Sequence, residues 1–291
     1  MVKKIIVIIL GVVLLSACDK LELSGFFFPT GDVVDERFAQ SMEMTAGASV
    51  AHIDAADEYS FYVATDVHLS SKEKTQNIAH FLHTFRNDSL ACFGTILGDC
   101  IDRKALHPAF VDALQYDSTQ HRYDSPLMIV LGNHDTYFNG WDSFAQLIGP
   151  SVYYFTVGNE RVCDLYIVLD TATGTLGYKQ TAWLKDFLHR NRMAYRHCVI
   201  LTHSNFFNTD ASQGMSGCLP LEETMQLISL FDNHNVTLVL QGHDHFREDL
   251  VMMGVRYTIV GALSEKEQTP EYLRVNVASQ DVSYDWYYIN Q

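Results

Sequence analysis

Short apolar segments of strand length recur along the chain and alternate with segments of helical period. The strongest runs are rich in Val, Ile, Leu and aromatic residues and cover 59–64, 92–97, 127–131, 198–201 and 236–240. Between them, apolar side chains three and four positions apart predict amphipathic helices within 72–86 and 181–188. After residue 245 only strand-like runs follow, at 255–260, 272–277 and 282–288. The pattern predicts an α/β domain with helices covering the outer faces of two sheets.

Each of the strongest runs ends at side chains that bind metals in many proteins. In chain order these ends are Asp66-Val67-His68, Gly98-Asp99, Gly132-Asn133-His134-Asp135, Thr202-His203 and Gly242-His243-Asp244-His245. The carboxyl ends of strands in a layered α/β sheet lie along one edge, where such folds bind their ligands. Residues far apart in the sequence are therefore expected to converge there.

The motifs differ in how specifically they indicate a metal site. Asp66 and His68 point to the same face of a strand, yet such a pair is also common as a turn carboxylate and a surface histidine. The run 132–135 is more specific, because a simple turn does not explain why a histidine and a carboxylate follow the asparagine. His243 and His245 lie on one side of an extended segment, and imidazole suits zinc, iron and manganese. The ordered set indicates a metal centre more strongly than any one member.

Over residues 59 to about 261 the set resembles the signature of calcineurin-like metallophosphoesterases. The resemblance implies a four-layer α/β/β/α sandwich of two mixed sheets, with two divalent or trivalent metal ions (Mn, Fe or Zn) at the sheet edge. It assigns Asp66, His68 and His245 to one ion, Asn133, His203 and His243 to the other, and Asp99 to both. Asp102 stands where the purple acid phosphatase branch has a metal-binding tyrosine, which argues against an iron-tyrosinate site.

The resemblance also implies hydrolysis of phosphomonoesters or phosphodiesters. Two ions roughly 3.5–4 Å apart lower the pKa of a bridging water, and the resulting hydroxide attacks phosphorus in line. His134 resembles the family's general acid or phosphate-contacting histidine, and Asp135 is expected to orient it through the second imidazole nitrogen. Aromatic side chains near these motifs could stack on a substrate or could only pack the loops: Tyr137, Phe138, Trp141, Phe206 and Phe207.

The formal net charge of −15 restricts the class of substrate. Sequence-independent binding of long nucleic acids depends on Lys and Arg neutralising phosphates, so this charge argues against a nuclease of the same family. A small phosphorylated substrate remains compatible, because bound cations dominate the local potential. The other alternative is a non-catalytic lipoprotein that uses the fold as a binding module. Burying carboxylates and imidazoles costs free energy, and a protein without catalysis would have no need to keep the complete set, which disfavours that alternative.

The first residues have the layout of a signal peptide. Lys3 and Lys4 precede an apolar run from 5 to 15, which is shorter than the roughly 20 residues of a membrane span. The run 15–18, Leu-Ser-Ala-Cys, resembles a bacterial lipobox, which implies a signal peptide over 1–17 and a lipid on Cys18. An ordinary cleaved signal peptide is the alternative. We expect 18–58 to be a lipidated tether, 59–291 the metallophosphoesterase domain, and the bacterial cell envelope the location.

The remaining cysteines and histidines have no motif context. Cys92, Cys163 and Cys198 lie in or beside apolar runs and are expected to be buried thiols. Three residues apart on a predicted helix, His80 and His83 are expected to face solvent. The other histidines are interpreted as surface or packing residues: His52, His107, His121, His189, His197 and His234.

Overall fold

The computed structural model describes residues 30–115, 125–207 and 219–289. Within these ranges the strands are β1 (His52–Asp54), β2 (Tyr59–Ala64), β3 (Ala91–Ile96), β4 (Leu127–Ile129), β5 (Tyr153–Gly158), β6 (Cys163–Val168), β7 (Cys198–Leu201), β8 (Leu238–Gln241), β9 (Glu248–Met252), β10 (Val255–Ile259), β11 (Glu271–Val277) and β12 (Val282–Tyr288). The α-helices are α1 (Thr30–Thr45), α2 (Gln76–Asn87), α3 (His107–Leu114), α4 (Asn133–Thr136), α5 (Gly140–Leu147), α6 (Gly177–Asn191) and α7 (Leu221–Asn233). Short 3₁₀ turns occupy Lys104–Leu106 and Arg192–Ala194.

The strands form two mixed sheets. The larger sheet has the order β1-β5-β6-β7-β8-β10-β9, and the smaller has the order β12-β11-β2-β3-β4. In the smaller sheet β2, β3 and β4 are parallel, whereas β11 runs antiparallel to both of its neighbours. In the larger sheet β6, β7, β8 and β10 are parallel. The predicted metal-binding motifs follow β2, β3 and β4 of the smaller sheet and β7 and β8 of the larger sheet, all of which belong to these parallel sets.

The two sheets pack face to face through alternate residues of their strands. On β2, Phe61 and Val63 point into the layer between the sheets, while Tyr62 and Ala64 point to the helical side. The ring of Phe61 stacks on Phe93 with centroids 4.6 Å apart and meets Tyr166 edge-on at 5.4 Å. An apolar core therefore fills the space between the sheets.

Helices cover both outer faces. The helix predicted within 72–86 is α2, which buries Ile78, Phe81, Leu82 and Phe85 against the smaller sheet beside α3 and α5. The helix predicted around 181–188 is α6, which packs with α7 against the larger sheet. Three apolar layers separate four layers of secondary structure. The predicted four-layer α/β/β/α sandwich of two mixed sheets is confirmed.

Part of the segment expected to be a tether is folded. Helix α1 packs on α6, and strand β1 pairs with β5. The guanidinium of Arg37 donates hydrogen bonds of 2.7 and 3.0 Å to the buried carboxylate of Asp170. The domain boundary expected at residue 59 is therefore wrong for residues 30–58. The predicted signal peptide and Cys18 lie outside the described residues.

Polar side chains hide the helical pattern of α1 in the sequence. Its buried positions are Val34, Arg37, Phe38 and Ser41, which have helical spacing but include an arginine and a serine. Ser41 Oγ accepts a 3.0 Å hydrogen bond from the Ser151 amide, so the helix is fixed partly by polar contacts. Within the described ranges, no helix combines the length and the hydropathy that a membrane crossing needs.

Candidate metal centre

The predicted motifs converge at one edge of the sandwich. They lie in the segments that follow β2, β3 and β4 of one sheet and β7 and β8 of the other. The amide of His68 donates a 2.9 Å hydrogen bond to the Asp99 carbonyl, and the Gly242 amide donates one of 2.8 Å to the His203 carbonyl. These backbone hydrogen bonds fix neighbouring loops to each other without any contribution from side chains.

The backbone at this edge is in an uncommon conformation. Positive φ angles occur at Asp66 (49°), His68 (46°), Asp99 (50°), His243 (78°) and His245 (62°). Non-glycine residues adopt such angles rarely, and each costs on the order of 1–3 kcal/mol. A cluster of this kind is typical of a functional site, where the surrounding fold holds side chains in a required direction.

Two motif glycines allow the loops to approach this closely. A Cβ atom at Gly132 would lie 2.0 Å from the amide nitrogen of Asp99 and 2.3 Å from its Oδ1. A Cβ atom at Gly242 would lie 2.0 Å from Thr65 Oγ1 and 2.8 Å from Asp66 Oδ2. Any other residue would therefore push the Asn133 and His243 loops away from the two aspartates.

The first cluster, defined as Asp66, His68 and His245, brings ligand atoms together around a buried carboxylate. His245 Nε2 lies 3.4 Å from Asp66 Oδ1 and 3.0 Å from His68 Nε2. The other oxygen, Asp66 Oδ2, accepts hydrogen bonds from the Thr65 hydroxyl (2.7 Å) and the His243 amide (2.8 Å). Asp66 Oδ1 is buried and accepts no hydrogen bond from the described residues.

The second cluster is formed by Asp99, Asn133, His203 and His243. His203 Nε2 lies 3.0 Å from Asn133 Oδ1, 3.2 Å from His243 Nδ1 and 3.3 Å from Asp99 Oδ1. His203 is fully buried, and its Nδ1–H donates to the Leu97 carbonyl at 2.8 Å. That bond leaves the Nε2 lone pair directed into the cluster.

Asp99 lies between the two clusters. Its Oδ1 faces His203 and accepts a 2.8 Å hydrogen bond from the His134 amide, while its Oδ2 lies 3.6 Å from His68 Nε2. Each carboxylate oxygen is thus directed to a different cluster. This arrangement would allow Asp99 to bridge two ions.

The charges at this edge favour cations. Burial alone would raise the pKa of Asp66, but the adjacent rings of His245 and His68 hold it well below its usual range. Burial likewise lowers the pKa of His68, yet Asp102, Asp66 and Asp99 outweigh it and raise that pKa to about 10. The same balance at His203 raises its pKa to about 9, mainly through Asp99.

The residues present fit two metal ions. Ligand atoms of Asp66, His68 and His245 all lie within 4.8 Å of one another, and so do those of Asp99, His203 and His243. The buried Asp66 Oδ1 has no hydrogen-bond donor, as expected for an oxygen whose partner is a cation. Mixed imidazole and carboxylate donors suit zinc, iron and manganese.

A family model described as calcineurin-like phosphoesterase matches residues 59–247, which include every residue of both clusters. The chain belongs to the calcineurin-like phosphoesterase family. This membership and the paired clusters identify it as a metal-dependent phosphoesterase whose ligand residues are arranged as in a dinuclear metal site. Comparison with curated proteins gives no significant match.

Solved structures share the fold at low identity. A dimetal phosphatase from Danio rerio is 13% identical with a TM-score of 0.61, over 78% of this chain and 95% of that one. GAP50, described as the anchor in the inner membrane complex of Plasmodium, is 13% identical with a TM-score of 0.58, over 79% and 84%. The purple acid phosphatase PPD1 from yellow lupin is 12% identical with a TM-score of 0.58, over 79% of this chain and 51% of that one. Similarity at this identity shows the fold alone.

Asp135 of this phosphoesterase does not have the role expected for it. Its carboxylate accepts hydrogen bonds from the amides of Cys100 (3.0 Å) and Gly132 (2.9 Å) rather than from the His134 ring. Asp135 therefore joins the two motif loops that follow β3 and β4. His134 Nδ1 is buried without a hydrogen-bond partner among the described residues, so the prediction that Asp135 orients this ring is wrong.

Two carboxylates outside the predicted set support the histidines of the first cluster. Asp102 Oδ1 lies 3.2 Å from His68 Nδ1, and Glu267 Oε1 lies 3.1 Å from His245 Nδ1. The sequence signal for Asp102 is its position in the motif at 98–102. No motif marks Glu267, because the loop that carries it follows β10, beyond the matched residues.

A cleft of about 240 Å³ opens over both clusters. Tyr137, Ser264, Lys266 and Glu267 line it together with cluster residues. Tyr137 accepts a 2.8 Å hydrogen bond from Asn133 Nδ2. The other aromatic candidates do not line the cleft: Phe206 is buried in the outer core, Phe207 packs on Tyr257, Trp141 packs on Phe144, and Phe138 is 74% exposed.

The remaining histidines have the surface or packing positions expected for them, whereas only Cys198 of the three cysteines expected to be buried is fully buried. His80, His83 and His189 are exposed, and His107 is fully buried with Nε2 3.9 Å from Asp135 Oδ1. His52, His197 and His234 form hydrogen bonds with Thr156, Ala278 and Leu230. Cys92 and Cys163 are half-buried, Cys198 is buried, and all three are free thiols. His121 and Cys218 lie outside the described residues.

Proposed function

We propose that this phosphoesterase hydrolyses small phosphomonoesters or phosphodiesters with two metal ions bound at the paired clusters. The observation that carries the proposal is that Asp99 directs one oxygen to each cluster beneath a single cleft. Asp66, His68 and His245 would hold one ion, and Asn133, His203 and His243 the other. Mn, Fe and Zn are the expected ions, given these donors.

The ions, when bound, would activate water and neutralise charge on the phosphoryl oxygens. The protein's part is to hold the ligand atoms in a fixed arrangement before substrate arrives. Hydrogen bonds to Leu97, Asp102 and Glu267 fix the rings of His203, His68 and His245 so that each Nε2 faces the site. The strained backbone of the five cluster residues serves the same purpose.

His134 is the residue proposed to contact the reacting phosphate. It lines the cleft, its ring packs on Tyr137 with centroids 4.6 Å apart, and its Nε2 lies 3.9 Å from Asp99 Oδ2. Burial, with the nearby imidazolium charges, lowers the pKa of His134. A neutral ring with a proton on Nε2 would donate a hydrogen bond to a phosphoryl or leaving-group oxygen.

The size and charge of the cleft support a small substrate. Its volume lies below the roughly 300–1,000 Å³ of typical drug-sized pockets. Lys266 lines the cleft, but Asp102 at 2.7 Å neutralises its charge. It therefore does not provide the basic surface that a long nucleic acid would need. Together with the net charge of −15, this supports a small phosphate ester over a long nucleic acid.

A binding module is the second candidate, because a neighbour of the same fold, GAP50, is described as an anchor. Fold alone does not decide between an anchor and an enzyme. The complete pair of clusters favours an enzyme, since burying this many carboxylates and imidazoles at one point has a desolvation cost that bound ions would offset.

We also propose that a lipid on Cys18 anchors the protein in the bacterial cell envelope. The support is the lipobox-like sequence at 15–18 after a short apolar run. Fractionation of the native host tests it: the wild-type chain should pellet with membranes and carry an acyl chain, whereas Cys18→Ala should not. A wild-type chain that remains in the supernatant without an acyl chain contradicts the anchor.

Hydrolysis of two chromogenic esters tests the proposed activity. The chain without its signal peptide is stripped of metal, refilled with Mn, Zn or Fe, and assayed with bis-p-nitrophenyl phosphate and p-nitrophenyl phosphate. Turnover that metal restores and Asp99→Ala abolishes supports the enzyme, and the ratio of the two rates gives the substrate class. Two bound ions per chain without any turnover would favour the binding module.

A further inference from the structure

One wall of the cleft comes from a segment outside the family signature, residues 263–267, called here the wall segment. It follows β10, whereas the family match ends at residue 247. The Leu263 amide donates a 2.9 Å hydrogen bond to the Thr65 carbonyl, and Asn77 Nδ2 donates one of the same length to the Leu263 carbonyl. The wall segment is thereby fixed to the end of β2 and to the start of α2.

The wall segment directs two charged side chains at the supports of the first cluster. Glu267 accepts the hydrogen bond from His245 Nδ1–H at 3.1 Å. Lys266 Nζ donates a 2.7 Å hydrogen bond to Asp102 Oδ2, and Asp102 Oδ1 lies 3.2 Å from His68 Nδ1. Both histidines of the first cluster therefore depend on the wall segment, His245 directly and His68 through Asp102.

We propose that the wall segment is a positioning element for the ion of the first cluster, with Glu267 orienting His245 and Lys266 steadying Asp102 against His68. The inference rests on the proposed two-metal function and adds residues to it. A carboxylate at Nδ1 keeps the proton there, leaves the Nε2 lone pair directed at the ion, and makes that nitrogen a stronger ligand. Loss of such a partner typically weakens metal binding 10- to 100-fold.

The third charged residue of the wall segment supplies a matched control. Glu265 Oε1 accepts a 2.6 Å hydrogen bond from the Gln76 amide at the start of α2 and lies in no cluster. Glu265→Gln removes the same charge from the same segment as Glu267→Gln does, and it keeps an oxygen for the Gln76 amide. A general effect of charge or of loop stability would appear equally in both variants.

Metal affinity without turnover is the measurement. Zn²⁺ and Mn²⁺ dissociation constants are determined by chelator competition for the wild type, Glu267→Ala, Glu267→Gln, Lys266→Met and Glu265→Gln. We expect one of the two ions to bind about 10- to 100-fold more weakly in Glu267→Ala. Glu267→Gln, which keeps an acceptor, should recover part of that loss, and Lys266→Met should show a smaller loss than Glu267→Ala. Glu265→Gln should match the wild type.

Two outcomes would overturn the inference alone. One is a Glu267→Ala protein that binds both ions as tightly as the wild type does. The other is an equal loss in Glu265→Gln, which would assign the effect to the folding of the segment. A wild-type protein that binds no ion would instead refute the proposed function, and the inference with it.

Discussion

The Nε2 atoms of His68 and His245 lie 3.0 Å apart, although 177 positions separate the two residues in the chain. Two imidazole lone pairs repel each other at this distance unless a proton or a cation lies between them. Asp66 Oδ1 lies 3.4 Å from His245 Nε2 and 3.7 Å from His68 Nε2, so a negative charge faces the same point. Protons and metal ions therefore compete for one place in the protein.

Metal binding is expected to release protons at neutral pH. Burial lowers the pKa of His68 and His203, but the neighbouring carboxylates outweigh it and raise the two values to about 10 and about 9. Both rings thus carry an extra proton in the metal-free protein at pH 7, and each must lose it to bind an ion. Calorimetric titration with Zn²⁺ in two buffers of different ionisation enthalpy counts the protons. A count of zero at pH 7 contradicts the expected electrostatics.

The metal-free protein is expected to lose stability as the pH rises above neutral. A histidine whose pKa is raised on folding adds stability that is complete below its ordinary value of 6.5 and is lost as the pH passes the folded value. For His203 and His68 the window runs from 6.5 to about 9 and about 10. Asp66, with its pKa held low, contributes stability that is lost only in acid.

Urea unfolding of the chelator-treated protein at pH 6.5 and at about pH 9 measures this effect. The metal-loaded protein is the control, because its histidines are held neutral by the ions and its affinity for them rises with pH. Its unfolding free energy should fall less than that of the metal-free protein over the same interval. Equal changes in the two forms would contradict the prediction.

His134→Ala separates two roles for this histidine. If His134 protonates the leaving group, the variant should lose roughly 10²–10⁴-fold in kcat on an alkyl phosphate but much less on p-nitrophenyl phosphate, whose leaving group needs no proton. If His134 only binds a phosphoryl oxygen, the two losses should be equal. The lowered pKa of His134 favours the second result near neutral pH. Metal content should match the wild type in either case, because the ring belongs to neither proposed ligand set.

The residues of the two clusters could be found from the sequence because each lies within a few residues of the carboxyl end of a strand. The apolar run fixes the strand, the strand fixes the edge, and parallel neighbours bring the ends together. His203, for example, has no specific motif of its own, yet it follows β7 as Asp66 follows β2. The positive φ angles could not be read from the sequence, since Asp66 and His68 look like residues of a continuing strand.

Contacts between distant loops could not be predicted in the same way. Asp135 was expected to orient its neighbour, but the tight turn after β4 directs its carboxylate to the amides of Gly132 and Cys100. Glu267 reaches His245 only because the segment after β10 returns to β2, which no local pattern records. The segment that contains α1 reads as a polar tether in the sequence, whereas the structure buries Arg37 and Ser41 of this helix among its apolar residues. In each case a polar side chain is satisfied by a partner that is remote in sequence.

Gly132→Ala is expected to disrupt the metal centre. The new methyl group would lie 2.0 Å from the Asp99 amide nitrogen, so the loops after β3 and β4 must separate. Gly47→Ala is the control: it meets nothing within 4 Å and has a φ of 66°, so it should cost only about 1–2 kcal/mol for the left-handed backbone. We expect Gly132→Ala to lose bound metal while Gly47→Ala retains two ions per chain, measured by elemental analysis. Full metal content in Gly132→Ala would show that the close approach is not required.

The ion pair between Arg37 and Asp170 is expected to fix α1 to the domain. Both side chains are buried, at 3% and 0% exposure, and the carboxylate also accepts a hydrogen bond from the Ala172 amide at 3.1 Å. Arg37→Met leaves Asp170 buried without its cation, which typically costs about 3–5 kcal/mol. Urea unfolding of the wild type and the variant gives the difference in the free energy of unfolding.

A second variant distinguishes the loss of the Arg37–Asp170 contact from the cost of leaving the Asp170 carboxylate buried without a cation. Arg37→Met combined with Asp170→Leu removes both charges, and exchange of a whole buried pair for apolar residues is often neutral. The double variant should therefore recover much of the stability that Arg37→Met loses. An Arg37→Met protein as stable as the wild type would mean that this ion pair is not what fixes α1 to the domain, and that the packing of α1 on α6 is sufficient.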